Sequence, residues 1–356
     1  MNRYFVERKL ATGVGTELSL CRLNEEQGQT IVVKELIDVQ HLDNLETEFE
    51  VLRSISPHPG IINLIDGFIF KEKAFLVYDY CSGGDLFNVI KTKGPLTESR
   101  SVSLLSQMVS ALQHARNHGF FHCDLKPENI LLKSSAEFIL ADWDMARHSH
   151  QLRVSMHYGS TLSMAPEVML GQLHENSDIY SLGCLMHYCL FGARVFNLTS
   201  ASLPHERIFA HLEQTYEMPD GKCGANLKAL ICRMMAKNPD DRASLAEIHD
   251  YLEGHRLVVP QPDLSSDIYD AVPTIVSPRY ADICKEKSIR RIQAHQNDSG
   301  DTRGQSLVLA HRLILAYLGD IESQEFLASA YRSNTLQHSF PDRGQTWLDR
   351  AESLPL

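Results

Sequence analysis

The hydrophobic period changes partway along the chain, and that change limits the fold more than any other feature. Up to about residue 80 the apolar residues come in short alternating runs. RYFVERKL, TELSLCRL, QTIVVKEL and KAFLVYDY are rich in β-branched and aromatic side chains and are separated by turn residues, which predicts strands. One segment, Asp43 to Ser56, breaks the alternation, because Leu45, Phe49 and Leu52 fall there on one face of a helix. From Thr97 the spacing becomes helical. SRSVSLLSQMVSALQHARNHG reads as an amphipathic helix stopped at Gly119, with further helices expected near 177–191, 205–216, 224–235 and 244–252. The expectation is an α+β chain of two unequal lobes, a small antiparallel sheet with one helix (1–79) and a mainly helical body (80–256). A length of 356 residues is long for one core and suits that division.

After His255 the texture changes again. VVPQPDLSSDIYDAVPTIVSPRY is proline-rich with little periodicity, and QAHQNDSGDTRG is polar and turn-prone, so 257–304 reads as a linker. Helical period returns over 305–356. The net charge of -11 argues against nucleic acid as a partner. Eight cysteines include no Cys-x-x-Cys pair, so reduced thiols in a cytoplasmic compartment are expected rather than a disulfide framework or a zinc site. MNRYFVERKL has no signal-type apolar core and no glycine at position 2. The apolar stretches Ile179 to Phe191 and Ser306 to Leu318 fall short of the roughly 20 residues a membrane span needs.

The chemistry concentrates in FFHCDLKPENILL. Asp124 and Asn129 stand five residues apart, with Lys126 between them, in a loop flanked by apolar strand-like triplets. A loop held at both ends fixes a carboxylate with little freedom, and phosphoryl transfer depends mainly on positioning and charge neutralisation. Thirteen residues on, Asp142 ends an apolar strand in ILADWDMA. With Asn129 it supplies hard oxygens of the kind Mg²⁺ takes alongside phosphate. Upstream, IVVK sets Lys34 at a strand end, with Glu48 on the following helix as a partner for its ammonium.

In order, the chain shows a glycine loop, IVVK, a helix glutamate, DYCSGGDLF, HCDLKPEN, DWD, MAPE, SDIYSLG and NPDDRAS. Each is weak alone. The ordered set resembles the eukaryotic-type protein kinases over about Tyr4 to Arg256, and Lys126 two residues after Asp124 fits the Ser/Thr branch. HPGIINL and GGDLFNVI look most like the calcium/calmodulin-dependent group. The resemblance implies the bilobal kinase fold, ATP and Mg²⁺ (with Mn²⁺ as an alternative) as cofactors, and a protein substrate. It implies that Lys34 holds the α/β-phosphates and pairs with Glu48, that Asp124 accepts the hydroxyl proton, that Lys126 neutralises the γ-phosphate, and that Asn129 and Asp142 bind metal. The nucleotide would lie against Ala11, Gly13, Gly15, Leu18, Val32, Tyr78 as gatekeeper, Asp79 and Cys81 in the hinge, Asp85 at the ribose, and Leu131. Glu167 should pair with Arg242, and Asp178 should brace the catalytic loop. Leu52, Leu64, His122 and Trp143 should form an apolar column between the lobes. Glu128 falls where basophilic relatives contact an arginine of the substrate, although their second acid is Tyr188 here, so a preference for basic sites is the expectation.

Four positions depart from the family pattern. Ala11 and Thr16 replace glycines of the phosphate loop, which is expected to weaken ATP binding, while Gly15 is expected to restore flexibility. Asp144 replaces the glycine of DWD and either helps hold a cation or locks the turn. Cys123 replaces the arginine that reads activation-segment phosphorylation, and a thiol makes no charge-assisted fork with phosphate. An enzyme active without phosphorylation at Ser149, Ser155, Ser160 or Thr161 is therefore expected, with an inert thiol at Cys123. The rival reading, on these same departures, is a pseudokinase acting as a nucleotide-binding or scaffold protein.

The tail AYLGDIESQEFLASAY followed by QTWLDRAE resembles Sel1-like repeats, relatives of the TPR helix pair, through Gly319, Asp320, Leu327, Ala328, Tyr331, Trp347, Leu348 and Ala351. One such unit does not bury its own apolar face, so it should dock on the helical lobe or bind another protein. A kinase joined to this repeat type suggests a bacterial chain delivered into a host cell.

Overall fold

The computed structural model describes residues 4–23, 28–151, 161–254, 278–295, 302–332 and Trp347. Strands β1 (Tyr4–Thr12), β2 (Thr16–Leu23), β3 (Thr30–Leu36), β4 (Leu64–Phe70) and β5 (Lys73–Asp79) form an antiparallel sheet in the order β1-β2-β3-β5-β4. Side chains alternate across it. Ile31, Val33, Phe75, Val77 and Cys21 make an outer core, closed by Tyr4 and Phe68, whose rings stack at 5.8 Å. The other face carries Val32, Lys34, Leu76 and Tyr78, and α1 (Leu42–Ile55) belongs to the core on that side. Its buried positions are Leu45, Glu48, Val51, Leu52 and Ile55, a stripe at helical spacing with one charge inside it.

Among the described residues, seven α-helices and two short strand pairs build the larger lobe: α2 (Leu86–Lys93), α3 (Glu98–Asn117), α4 (Pro166–Met169), α5 (Ser177–Phe191), α6 (Pro204–Glu213), α7 (Ala225–Met234) and α8 (Leu245–Leu252). The strands are β6 (Phe120–Phe121) with β9 (Arg147–His148), and β7 (Ile130–Leu132) with β8 (Phe138–Leu140). Helix α5 is buried over every residue but its last, as its apolar sequence requires. Backbone links join the lobes: Ile62 N–H donates to Leu140 O at 2.9 Å and Leu140 N–H to Gly60 O at 2.8 Å; within the larger lobe, Gly83 N–H donates to Leu132 O at 2.9 Å. Gly83 permits this approach, since a Cβ there would lie 2.7 Å from the Leu132 carbonyl oxygen. The bilobal α+β architecture matches the expectation.

The strand and helix pattern does not predict β4 or α2. LIDGFIF carries Gly67 inside the strand, which weakens its signal, yet a Cβ there would lie 2.6 Å from the Phe49 ring, so packing against α1 selects glycine. The stretch expected as a linker, 257–304, contains a helix, α9 (Pro278–His295). Among its described side chains Ser288 and Ile292 are the buried ones, too few for sequence periodicity to register. Beyond it, α10 (Thr302–Tyr317) and α11 (Ile321–Arg332) continue the chain. Helix α10 docks on α6: Tyr317 Oη donates to Glu213 Oε1 at 2.7 Å, and the His205 ring and Ser306 Oγ lie 2.9 Å apart. Leu313, Ile314, Leu327 and Trp347 join the main core of the large lobe. Of the tail positions, Leu348 and Ala351 lie outside the described residues, as do Ser155 and Ser160 of the activation segment. No helix among the described residues is long and apolar enough to cross a membrane.

Candidate active site

Glu48 is the charge inside the apolar stripe of α1, and a buried carboxylate requires a partner. That partner is Lys34, whose Nζ donates to Glu48 Oε2 at 2.6 Å and to Asp142 Oδ1 at 3.1 Å. One ammonium therefore joins a strand and a helix of the small lobe to a loop of the large one. Lys34 and Glu48 are 7% and 2% exposed, so water screens the pair little. Burial opposes the lysine's charge, but Glu48, Asp142 and Asp144 outweigh it and hold the amine above its ordinary value. Burial likewise opposes the charge on Asp142, and Lys34 and Lys126 overcome it, keeping this carboxyl below its usual range.

The catalytic loop is built around Asp178, in the first turn of α5. Its Oδ2 accepts from His122 N–H and its Oδ1 from Cys123 N–H, each at 2.9 Å. Cys123 sits at φ 66°, in the left-handed region that a Cβ disfavours, and Asp142 at φ 65°. The first carries the chain into Asp124 and the second sets the Asp142 carboxylate toward Lys34. Asp124 is 6% exposed and forms an ion pair with Lys126. Asn129 Nδ2 donates to the Asp124 carbonyl at 2.9 Å and to its Oδ2 at 3.1 Å. This leaves the Asn129 amide oxygen, with Asp142, as the hard donors. Burial pushes the Cys123 thiol well above its ordinary value, and the Asp178 carboxylate adds to this.

The expected column is present in its parts. His122 and Trp143 meet edge to face at 4.6 Å, and Leu52 and Trp143 are fully buried in the main core, with Leu64 packed against it. Glu167 and Arg242 form a doubly bonded pair, 2.5 Å on each arm, at zero exposure.

Sheet register places much of the expected nucleotide surface. Ala11 pairs with Leu18, Leu18 with Lys34, and Val32 with Tyr78, so the five share the face that carries Lys34. Leu131 comes from β7 and bridges to Asp85. Asp79 and Cys81 line a cavity of about 470 Å³ with Pro57, His58, Asn63 and Lys133, and Asp79 Oδ2 accepts from Asn63 Nδ2 at 3.3 Å. Burial pushes the Cys81 thiol up to about 11. Asp85 caps α2, with its two oxygens accepting from Asn88 N–H at 2.8 Å and Asn88 Nδ2 at 2.7 Å.

The glycine loop departs from expectation. Thr16 is the first residue of β2, where a β-branched side chain is favoured, so it does not stiffen the turn itself. Gly15 is pinned rather than flexible. It takes φ 71°, its carbonyl accepts from Ile37 N–H at 2.9 Å and Asp38 N–H at 3.1 Å, and a Cβ would meet the His41 ring at 2.1 Å. Asp144 avoids positive φ, and burial, then Asp142, push its carboxyl up to about 7. Sequence reasoning missed His41 and Arg194. The latter pairs with Glu128, and no local pattern marks either contact.

A protein kinase domain family model matches residues 4–252. Among curated relatives, serine/threonine-protein kinase ULK3 of Xenopus laevis is 33% identical over 226 residues, 62% of this chain and 48% of that protein. Serine/threonine-protein kinase SIK1 of Mus musculus is 27% identical over 273 residues, 74% of this chain and 34% of that protein. CBL-interacting serine/threonine-protein kinase 17 of Arabidopsis thaliana is 27% identical over 283 residues, 76% of this chain and 64% of that protein. The match thus spans about half the length of the first of these, or less than two thirds of any. The architecture, the Lys34–Glu48–Asp142 junction and the matched 4–252 span lead to one conclusion: the chain belongs to the protein kinase family.

Proposed function

We propose that the protein is a serine/threonine kinase that moves the γ-phosphate of ATP to protein hydroxyls. The observation that carries this reading is the Lys34 ammonium held between Glu48 and Asp142 at 2.6 and 3.1 Å. A lone lysine on a strand is otherwise a solvated charge; this one is fixed, charged and shared by both lobes. Asp124 stands ready to take the acceptor hydroxyl's proton, with Lys126 beside it to balance the charge that develops on the phosphoryl oxygens. The donor set suits Mg²⁺: a carboxylate, an amide oxygen, and an acid-rich surround in which burial, then Asp142, raises Asp144 to about 7. Magnesium, when bound, supplies charge neutralisation at the phosphate oxygens. The departures leave this machinery supported. Thr16 lies in a strand, Gly15 is anchored, and Cys123 keeps its backbone bond to Asp178.

The same reading includes independence from activation-segment phosphorylation. Cys123 brings no cation to a phosphate, and Ser149 N–H is already tied to Gly119 O at 2.7 Å. It also includes a protein-docking role for the Sel1/TPR-like tail, on the face not engaged by α6.

The test is transfer of γ-labelled phosphate to a degenerate Ser/Thr peptide pool, with Asp124→Asn beside the native chain. Label on the native reaction alone supports the kinase. Label in neither, with ATP still bound, points to the scaffold reading. A Ser149→Ala, Ser155→Ala variant that lost most of its turnover would remove the claim of phosphorylation independence.

A further inference from the structure

Glu128 lies on the turn between Lys126 and β7, two residues from Lys126 and one from Asn129. A hydroxyl presented to Asp124 carries its flanking residues across this strip. A carboxylate so placed is the natural contact for a cation on the incoming chain. The molecule has filled it. Arg194, from the segment after α5, forms an ion pair with Glu128 Oε1, and its own side chain is 12% exposed. The guanidinium lies 5.8 Å from the ring centres of both Phe87 and Tyr188, which stack on one another at 5.9 Å. A stacked aromatic pair on one flank and one carboxylate thus hold it. Glu128 Oε2 is buried with no hydrogen-bond partner, so the acid turns no second oxygen to the surface. The neighbouring acid, Asp85, is engaged as the cap of α2. Lys126 is paired with Asp124.

We infer that Arg194 is a specificity-determining residue that stands in for a basic substrate side chain. It occupies Glu128 permanently, so the enzyme takes Ser/Thr segments with uncharged residues over this strip and gains nothing from an arginine there. This rests on the kinase reading for the direction of substrate approach, and it replaces the preference for basic sites expected from Glu128 alone. Removing Arg194 frees one carboxylate in a half-buried, aromatic-walled setting. A charge-assisted contact there is worth about tenfold or more in affinity.

The experiment uses the full chain and a set of serine peptides with a single arginine placed at each position from five before to five after the acceptor. An all-alanine-flanked peptide is the reference. Native, Arg194→Ala, Arg194→Gln and Arg194→Ala/Glu128→Gln proteins are compared. KM and kcat are read by phosphate transfer, and Kd by fluorescence anisotropy of the same peptides. The native protein is expected to vary less than about threefold across the set. Both single variants are expected to gain about tenfold for one arginine position, through KM and Kd rather than kcat, and the double variant to lose that gain. A native enzyme that already favours an arginine peptide tenfold, at a position the double variant no longer favours, overturns the inference. So does the absence of any gain in both single variants. Because binding is read apart from turnover, a Kd gain without phosphate transfer upholds Arg194 as the occluding residue and removes the kinase reading alone.

Discussion

Replacing Asp178 with asparagine tests how the catalytic loop is held. The carboxylate receives two backbone N–H groups, from His122 and Cys123, at 2.9 Å each. A hydrogen bond to a charged acceptor contributes about 1.5–3 kcal/mol. Asparagine keeps one oxygen and turns an amide N–H toward the second donor, so one bond is lost and the other weakened, a total of about 3 kcal/mol. The loss falls on a strained backbone, because Cys123 at φ 66° costs about 1–2 kcal/mol that those bonds now offset. If the whole deficit appears as disorder of the loop carrying Asp124, turnover falls about 100-fold, since 1.4 kcal/mol is tenfold. For a chain of this size the melting temperature falls by about 4 °C. Single-turnover phosphate transfer and a thermal melt read the two effects. Cys123→Gly added to Asp178→Asn should recover part of each, because glycine takes positive φ freely. Turnover within threefold of native and an unmoved melt would refute the bracing role, and a double variant no better than the single would refute the strain.

Arg242→Met leaves Glu167 buried without its partner and strips Ala236, Asn176 and Lys237 carbonyls of a donor. The expected loss is about 3–5 kcal/mol by urea unfolding, mostly recovered when Glu167→Met is added; a single-variant cost under about 1 kcal/mol contradicts this. His187 and His211 are buried, and burial lowers them to about 4 and about 3. Below the unfolded-state value near 6.5 the unfolded chain binds more protons, so stability is complete above that pH. It falls as pH drops toward 4, by about 1.4 kcal/mol per pH unit for each histidine. Thermal melts from pH 7.5 to 5 should show the decline, and a flat profile counts against it. Tyr317→Phe removes the bond to Glu213 between α10 and α6 and should cost about 1–3 kcal/mol, lowering the melting temperature; no change would show that the tail adds nothing to the lobe's stability.

Much of the site was legible because its parts are local. A lysine ending a β-branched strand, a glutamate inside a helical stripe and an acid closing an apolar triplet each follow from period and spacing. Strand register then carries Ala11, Leu18, Val32 and Tyr78 to one face with Lys34, since alternation leaves them no other. Asp79 shows the limit of reading by neighbourhood. One residue from Tyr78, it bonds Asn63 and lines the cavity there. Helix α9 was hidden because its described buried positions, Ser288 and Ile292, are too few to mark a face, and the helix packs on α10, which lies later in the chain.

By itself the amino-acid sequence determined the two lobes and most of their elements, because hydrophobic period and short-range spacing are properties of the chain alone. Tertiary structure decided the pairings among groups far apart in sequence. It set Arg194 against Glu128, His41 beneath Gly15, and Tyr317 on Glu213. Each of these depends on which surfaces are left facing one another once the cores have closed. A buried charge takes whichever partner lies within reach at that point, and no local pattern encodes that distance.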